Sequence, residues 1–290
     1  MVKGKKGNKG IPVNMGERGT YHKDNKLNEL TSKEWIKFTR TWFVHYPAAR
    51  KDDEILHPAK FPESLAKEFI LFFSKKGQYV FDPFLGTGST LVACHETERN
   101  GIGIELLDKY AHISRARVKK LNSSNKLKVI TGNSLNIDTI WKKNSLPKID
   151  FVITSPPYGP MLNKKVGIVY NARKEAYLDT NYSDNNDDLA NASSYDEFVA
   201  NVVKVFEKMK NILNKNAYIV VILQNYVDKS EFRPLAWDIG KGISKIYKFK
   251  GEKIWCQDNK TLYPYGYRFS FIPNVHHHYC LIFKNDKGEE

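Results

Sequence analysis

The sequence predicts an α/β domain whose mostly parallel, seven-stranded sheet carries helices on both faces. Three observations predict it. Short apolar runs alternate with helical stretches, a glycine turn follows one of those runs directly, and the longest clean apolar run, "AYIVVIL" from Ala217 to Leu223, is only the length of a strand. Such alternation implies parallel strands joined by crossover helices, because parallel neighbours need a connection of about a dozen residues. At 290 residues and 41% apolar content the chain can build one sizeable core.

The elements follow in order. Residues 1–24, headed by "MVKGKKGNKG", are Gly- and Lys-rich without periodicity and read as a mobile basic arm; residues 25–290 read as one domain, without an internal repeat or linker. A helix begins near "LTSKEWIKFTRTWF", where Thr31 and Glu34 have capping-box spacing. A second lies in "FPESLAKEFILFFSKKG", closed by Gly77. The strands "YVFD", "GIGIE", "LKVIT" and "DFVITS" are separated by helical stretches, among them "TLVACHETERN" and "LLDKYAHISRARVKKL". An Asn- and Asp-rich loop from Gly159 to Ser193 breaks the rhythm. Ser194 and Glu197 then cap the helix "YDEFVANVVKVFEKMKNIL", and the strand "YIVVIL" follows. "KIWCQ" and "HHHYCLIFK" supply an antiparallel C-terminal edge.

Charge narrows the partner. The 46 Lys and Arg against 32 Asp and Glu leave +14, which favours a polyanion, nucleic acid ahead of an anionic membrane. No run is long enough to span a bilayer, the N-terminus lacks the apolar stretch of a secretory signal, and three scattered cysteines are too few for a disulfide framework. A reducing cytoplasm is the expected setting.

Two stretches carry chemistry. "FDPFLGTGST", Phe81 to Thr90, lies between a strand and a helix, where Gly86 and Gly88 allow a tight turn and close approach of a ligand to the backbone, as in Rossmann-like folds. The third glycine of a dinucleotide fingerprint would fall at Leu91, and no Lys follows as a phosphate loop requires, so NAD and ATP are disfavoured. The next strand ends in Glu105, suited to two ribose hydroxyls. A cofactor with a ribose but no pyrophosphate fits; a turn needed only for packing is the other reading. In "DFVITSPPYGP", a strand runs straight into Pro156 and Pro157, which donate no hydrogen bond and hold the chain rigid.

"DPFLGTGST" followed by "TSPPY" resembles the paired signatures of the S-adenosylmethionine-dependent DNA amino-methyltransferases. "HPAKFPESL", His57 to Leu65, resembles their segment over the methionine end of the cofactor. The resemblance covers the chain from about Asn25 onward. It implies that Asp82, Pro83, Phe84, Gly86, Gly88, Ser89 and Thr90 line the cofactor, that Glu105 with Leu106 holds the ribose, and that His57, Lys60, Phe61 and Pro62 cover the other end. Asn133 and Ser134 stand where the family commonly has an acidic residue near the adenine. The order of motifs, cofactor elements before "TSPPY", differs from the arrangement common with this kind of cofactor segment. A double-stranded DNA partner with a short specific target, a prokaryotic or phage setting and a cognate restriction endonuclease are what the resemblance implies beyond the chain.

The chemistry explains the prolines. An exocyclic amine is a poor nucleophile because its lone pair is delocalised into the ring. If the Ser155 hydroxyl and the Pro156 carbonyl accept its two N–H bonds, the nitrogen is driven toward sp³ geometry, and the rigid prolines keep that carbonyl aimed. Tyr158 would stack on the extruded base. The candidate catalytic residues are therefore Ser155, Pro156, Pro157 and Tyr158. Ser at the first position is associated in the family more often with N4 of cytosine than with N6 of adenine, although both amines present the same two bonds. Cys94, Cys256 and Cys280 lack a preceding proline and read as small core residues. His276, His277 and His278 would alternate faces along a strand and cannot share one ion, so no metal is expected. Sequence-reading contacts fall to the loop with Lys164, Lys165, Arg173 and Lys174, or to the Lys- and Tyr-rich segment 228–273. An RNA or protein-amine methyltransferase, and a catalytically silent nucleic-acid-binding relative, are the alternatives.

Overall fold

The computed structural model describes residues 12–46, 61–157, 189–228 and 231–286. Residues 12–22, expected in a mobile arm, instead form a hairpin of β1 (Pro12–Asn14) and β2 (Thr20–His22). It docks on α1 (Ser32–Phe38): Arg18 Nε pairs with Glu34 Oε1 at 3.0 Å, and Thr31 Oγ1 donates to the Arg18 carbonyl. The expected capping box is present, with Glu34 Oε2 accepting from the Thr31 amide at 2.8 Å. That helix ends early. "WF", expected at its end, belongs to the strand β3 (Trp42–Val44), so the sheet has eight strands rather than seven. A strand distant in sequence, with Ile254, Trp255 and Cys256, pairs in parallel with Trp42, Phe43 and Val44 and draws them into the sheet.

After α2 (Glu63–Phe73) the alternation proceeds through β4 (Tyr79–Asp82), α3 (Ser89–Glu96), β5 (Asn100–Glu105), α4 (Asp108–Lys120), β6 (Leu127–Thr131), α5 (Ile137–Asn144) and β7 (Ile149–Thr154). Then come α6 (Tyr195–Met209), β8 (Leu213–Leu223), a hairpin of β9 (Tyr226–Asp228) and β10 (Glu231–Arg233), α7 (Leu235–Ser244), β11 (Lys248–Cys256) and β12 (His277–Lys284). The sheet order is β3-β11-β12-β8-β7-β4-β5-β6. β12 runs antiparallel to β8 and β11, as expected of the C-terminal strand, and β11 and β3 continue the sheet beyond it. The other adjacent pairs are parallel. From central β4 the chain winds outward to β5 and β6, then returns to β7 on β4's other side. The crevice between the carboxyl ends of β4 and β7 is the topological switch point, where such sheets bind ligands.

Both sheet faces are covered, which is why "YIVVIL" is apolar throughout. Ile219, Val221 and Leu223 join Phe198, Phe206 and Ile239 of α6 and α7 on one face. Val220 and Ile222 join Phe69 and Phe73 of α2, with Cys94 and Cys280, on the other. Burial pushes the thiols of Cys94 and Cys280 well above the ordinary range, as suits packing residues.

The side chain of Arg99 is fully enclosed. Arg99 donates to the carbonyls of Ser74 and Thr97 and to Ser74 Oγ, and pairs with Glu29 at 3.0 Å, tying the N-terminal segment to the strand ends. Arg99→Ala leaves those carbonyls unpaired, and equilibrium urea unfolding should report a loss on the order of 3–5 kcal/mol. Glu29→Gln, at a side chain that is itself 38% exposed, should lose far less.

Candidate cofactor and base site

Asp82, the last residue of β4, is 1% exposed and joins the two sequence motifs. Its Oδ1 accepts from the Thr154 hydroxyl at 2.6 Å and the Phe84 amide at 3.0 Å, and its Oδ2 accepts from the Thr90 hydroxyl at 2.6 Å. Thr154 ends β7 immediately before Ser155, and Thr90 lies in the first turn of α3. One carboxylate thus clamps the strand before the glycine turn, the helix after it and the strand before "SPPY". Burial raises its pKa to about 6, the three donors pulling the other way.

The turn between β4 and α3 is built for close approach. Gly86 (φ +56°) and Gly88 (φ +89°) both occupy the left-handed region, and a Cβ on Gly88 would overlap Ser114 Oγ of α4. Leu85 N donates to the Ile104 carbonyl at 2.9 Å, and the Leu85 side chain sits where a Cβ on Gly103 would lie, 2.5 Å from Leu85 Cδ1. Arg117 of α4 donates to the Thr87 carbonyl at 2.7 Å and pairs with Glu63, holding the turn from outside.

Glu105 is buried at the end of β5, its Oε2 accepting from the Gly86 amide at 2.7 Å and its Oε1 from the Leu107 amide at 2.9 Å. Leu106 is half-buried beside it. Beyond β6, Asn133 Oδ1 caps its own turn by accepting from the Leu135 amide at 2.9 Å, and Ser134 Oγ donates to the Pro83 carbonyl. Both therefore stand beside the glycine turn. Phe61 is buried against α2 and the sheet, and Pro62 starts α2. Ser155 and Pro157 are half-buried and Pro156 is buried. His57, Lys60, Tyr158, Lys164, Lys165, Arg173 and Lys174 lie outside the described residues.

The structure adds residues that the sequence did not single out. Thr154 was visible within "TSPPY", but its hydroxyl acquires a role only beside Asp82. Ser114 and Arg117 come from a helix with no motif. Asn225, 1% exposed just beyond β8, accepts the Ala236 amide at 2.8 Å through Oδ1, while its Nδ2 has no partner. Around the turn, the buried hydroxyls of Thr87, Ser89 and Ser114 also lack partners. Unsatisfied hydroxyls, two left-handed glycines and a buried acid at the next strand end suit a small polar ligand with a ribose, and S-adenosylmethionine fits that donor and acceptor set. Among the described residues no three His, Cys, Asp or Glu side chains stand together as a metal site. His278, half-buried and stacked on Trp255 at 4.7 Å, has its pKa pushed down to about 3, chiefly by burial.

The fold and the turn define a Rossmann-like, mostly parallel α/β domain. The family model described as DNA methylase, of the N6/N4 type, matches residues 3–116, from the N-terminal segment through the glycine turn and Glu105. Two curated relatives align: the type II methyltransferase M.BglI of Bacillus subtilis, 38% identical over 92 residues (32% of this chain, 26% of that protein), and the orphan methyltransferase M.BamHII of Bacillus amyloliquefaciens, 37% identical over 107 (36% and 38%). The chain spans less than two fifths of the length of either. Among solved structures, TrmN from Thermus thermophilus aligns over 77% of this chain and 49% of that one, at 10% identity and a TM-score of 0.47. The resemblance carried by the motifs is borne out: over residues 3–116 the chain is similar to the S-adenosylmethionine-dependent DNA amino-methyltransferases.

Because the folded-state pKa of Asp82 lies above the ordinary 3.8, the folded protein holds that proton more tightly than the unfolded chain. Stability should therefore fall as pH rises from about 4 to about 6, by on the order of 3 kcal/mol, and Asp82→Asn should remove that component. Thr154→Val, which deletes one donor to the carboxylate, should move the upper end of this window to higher pH. Urea midpoints across pH 4–7 check both.

Proposed function

We propose that this chain methylates DNA at an exocyclic amine of an extruded base, N4 of cytosine in preference to N6 of adenine, as the modification half of a restriction-modification pair. The observation that carries the reading is the Asp82–Thr154 bond, which makes the glycine turn and "SPPY" neighbours at one sheet edge. The family match, the relatives' names and the +14 charge support DNA as the substrate.

When bound, S-adenosylmethionine supplies an electrophilic methyl group on a sulfonium. Asp82, Pro83, Phe84, Gly86, Gly88, Ser89 and Thr90 would hold it from the turn, Glu105 and Leu106 would meet the ribose, and Asn133 and Ser134 would stand near the base. His57, Lys60, Phe61 and Pro62 would cover the other end. On the target side, the Ser155 hydroxyl and the Pro156 carbonyl accept the two N–H bonds of the amine, so its lone pair points out of the ring plane toward the methyl. Pro157 cannot donate and fixes its own φ, so the Pro156 carbonyl keeps its direction while charge develops on the nitrogen. Tyr158 stacks on the extruded base, returning about 1–3 kcal/mol of the few kcal/mol that flipping costs. Ser in "SPPY" favours cytosine only by association within the family; the geometry of two N–H bonds is common to both bases.

Expression in a host lacking DNA methylation, with mass spectrometry of its nucleosides and modification-sensitive sequencing, tests the reading. N4-methylcytosine at one short sequence is expected; N6-methyladenine would reassign the base, and a methyl group found only in RNA or protein would overturn DNA as substrate. A second test divides the roles. Ser155→Ala and Tyr158→Ala should both retain S-adenosylmethionine affinity within a few fold in calorimetry. Ser155→Ala should lose about 10²–10³ in kcat by analogy with a lost oxyanion donor. In single-turnover methylation a mismatch at the target, which eases flipping, should partly rescue Tyr158→Ala and not Ser155→Ala.

A further inference from the structure

β11 runs parallel to β4 and β7, so the segment leaving it at Cys256 and re-entering β12 at His277 projects from the same sheet edge as Asp82 and "SPPY". Its exposure is unusual. Of the fourteen exposed large apolar side chains among the described residues, six fall between residues 262 and 271: Leu262, Tyr263, Tyr265, Tyr267, Phe269 and Phe271. The two phenylalanines are each 91% exposed, whereas soluble domains seldom leave such rings bare unless a partner covers them.

The segment is held in one shape. Gln224 Nε2 donates to the carbonyls of Val275 and His277 at 3.1 and 3.0 Å, and Tyr263 and Asn274 exchange two bonds, amide to Oδ1 at 3.0 Å and Nδ2 to carbonyl at 2.8 Å. The amides of Phe269 and Ser270 both reach the Gly266 carbonyl at 2.9 Å, and Gly266 (φ +68°) has no room for a Cβ against the Ser270 carbonyl. Tyr263 and Tyr265 lie with ring centroids 5.6 Å apart, and Arg268 packs over the Tyr267 ring. At the root of the segment, Gln257 Oε1 and His278 Nδ1 are buried without a hydrogen-bond partner. Between residues 259 and 276 the sequence has no acidic residue, while Lys260 and Arg268 are basic.

Rigid exposed rings beside Lys260 and Arg268, with Asp258 at the root of the segment as its one acidic residue, match a nucleic acid, whose bases offer π faces and whose backbone offers charge. We infer that residues 262–271 form an aromatic ridge that stacks on DNA bases flanking the target, outside the site formed by "SPPY". The ridge holds the duplex open or kinked there, with Arg268 contacting phosphate. This rests on the reading of the chain as a DNA-modifying enzyme.

The test uses a short duplex carrying the sequence found methylated in the expression host, with 2-aminopurine next to the target. Phe269→Ala/Phe271→Ala, at side chains that support no core, should keep S-adenosylmethionine affinity, weaken duplex binding by about 10- to 100-fold and abolish the 2-aminopurine emission change. Arg268→Ala should lower the slope of log affinity against log salt by about one. If the wild-type protein methylates the duplex and the double variant binds it equally well, the ridge inference is wrong and the proposed function stands. A wild-type dimer that the double variant dissociates, with duplex affinity unchanged, would give the ridge to a second copy of the chain and also overturn it. A wild-type protein that neither binds nor methylates DNA removes both readings.

Discussion

The buried carboxylate of Asp82 is the constraint on which the site depends. A charge taken out of water is costly unless it is paired or hydrogen-bonded, and here three donors from three different parts of the chain converge on one group. Those donors can meet only if β4 and β7 are neighbours with their ends level, and if α3 starts close enough for Thr90 to turn back. The need to satisfy Asp82 thus penalises any arrangement in which the two strands slip or the turn opens. The remaining cost is visible in the raised pKa, because three hydrogen bonds do not replace the solvation of an exposed carboxylate.

From that fixed point the rest of the edge follows. Asp82 holds the turn's entry and Thr90 its exit, and Gly86 and Gly88 between them occupy the left-handed region and leave the backbone at those two positions uncovered by a side chain of their own. Glu105 accepts the Gly86 amide, and Arg117 takes the Thr87 carbonyl from the other side. The unpartnered hydroxyls of Thr87, Ser89 and Ser114 lie within this rigid frame. Polar groups left unsatisfied in an otherwise bonded setting are suited to a ligand, since binding then recovers hydrogen bonds that folding did not complete.

The same edge has two kinds of surface. Between β4 and β7 it is polar, small-residued and enclosed; between β11 and β12 it is aromatic, basic and exposed. On the function proposed above, this division would meet two demands: a small cofactor needs a fitted cradle, whereas a long anionic substrate needs contact area well beyond the reacting atom. The family match ends at residue 116, before "SPPY" and well before the aromatic segment. The link between the matched part and the later motif is the physical one through Asp82.

Much of this was legible in the sequence because it depends on local pattern. "YVFD" and "LKVIT" coincide with β4 and β6, the Thr31–Glu34 spacing is a capping box, and the glycine turn lies between its strand and helix. Those features come from alternation, caps and backbone freedom, which act over a few residues. The docked hairpin at residues 12–22, the strand at Trp42–Val44 and the roles of Thr154, Ser114 and Arg117 were not legible, because each depends on residues distant in sequence. Trp42–Val44 is a strand because β11, some two hundred positions later, offers an open edge. The exposed rings of residues 262–271 read in the sequence only as a segment rich in Lys and Tyr, since whether a ring is buried or bare is a property of the surrounding fold. By itself the sequence determined the alternation of strands and helices from β4 to β7, for which local pattern suffices, and carried the two motifs by their resemblance to one family. The tertiary structure alone decided that Asp82 of one motif and Thr154 of the other share a hydrogen bond, because a contact across 72 positions exists only once the parallel sheet has closed its switch point.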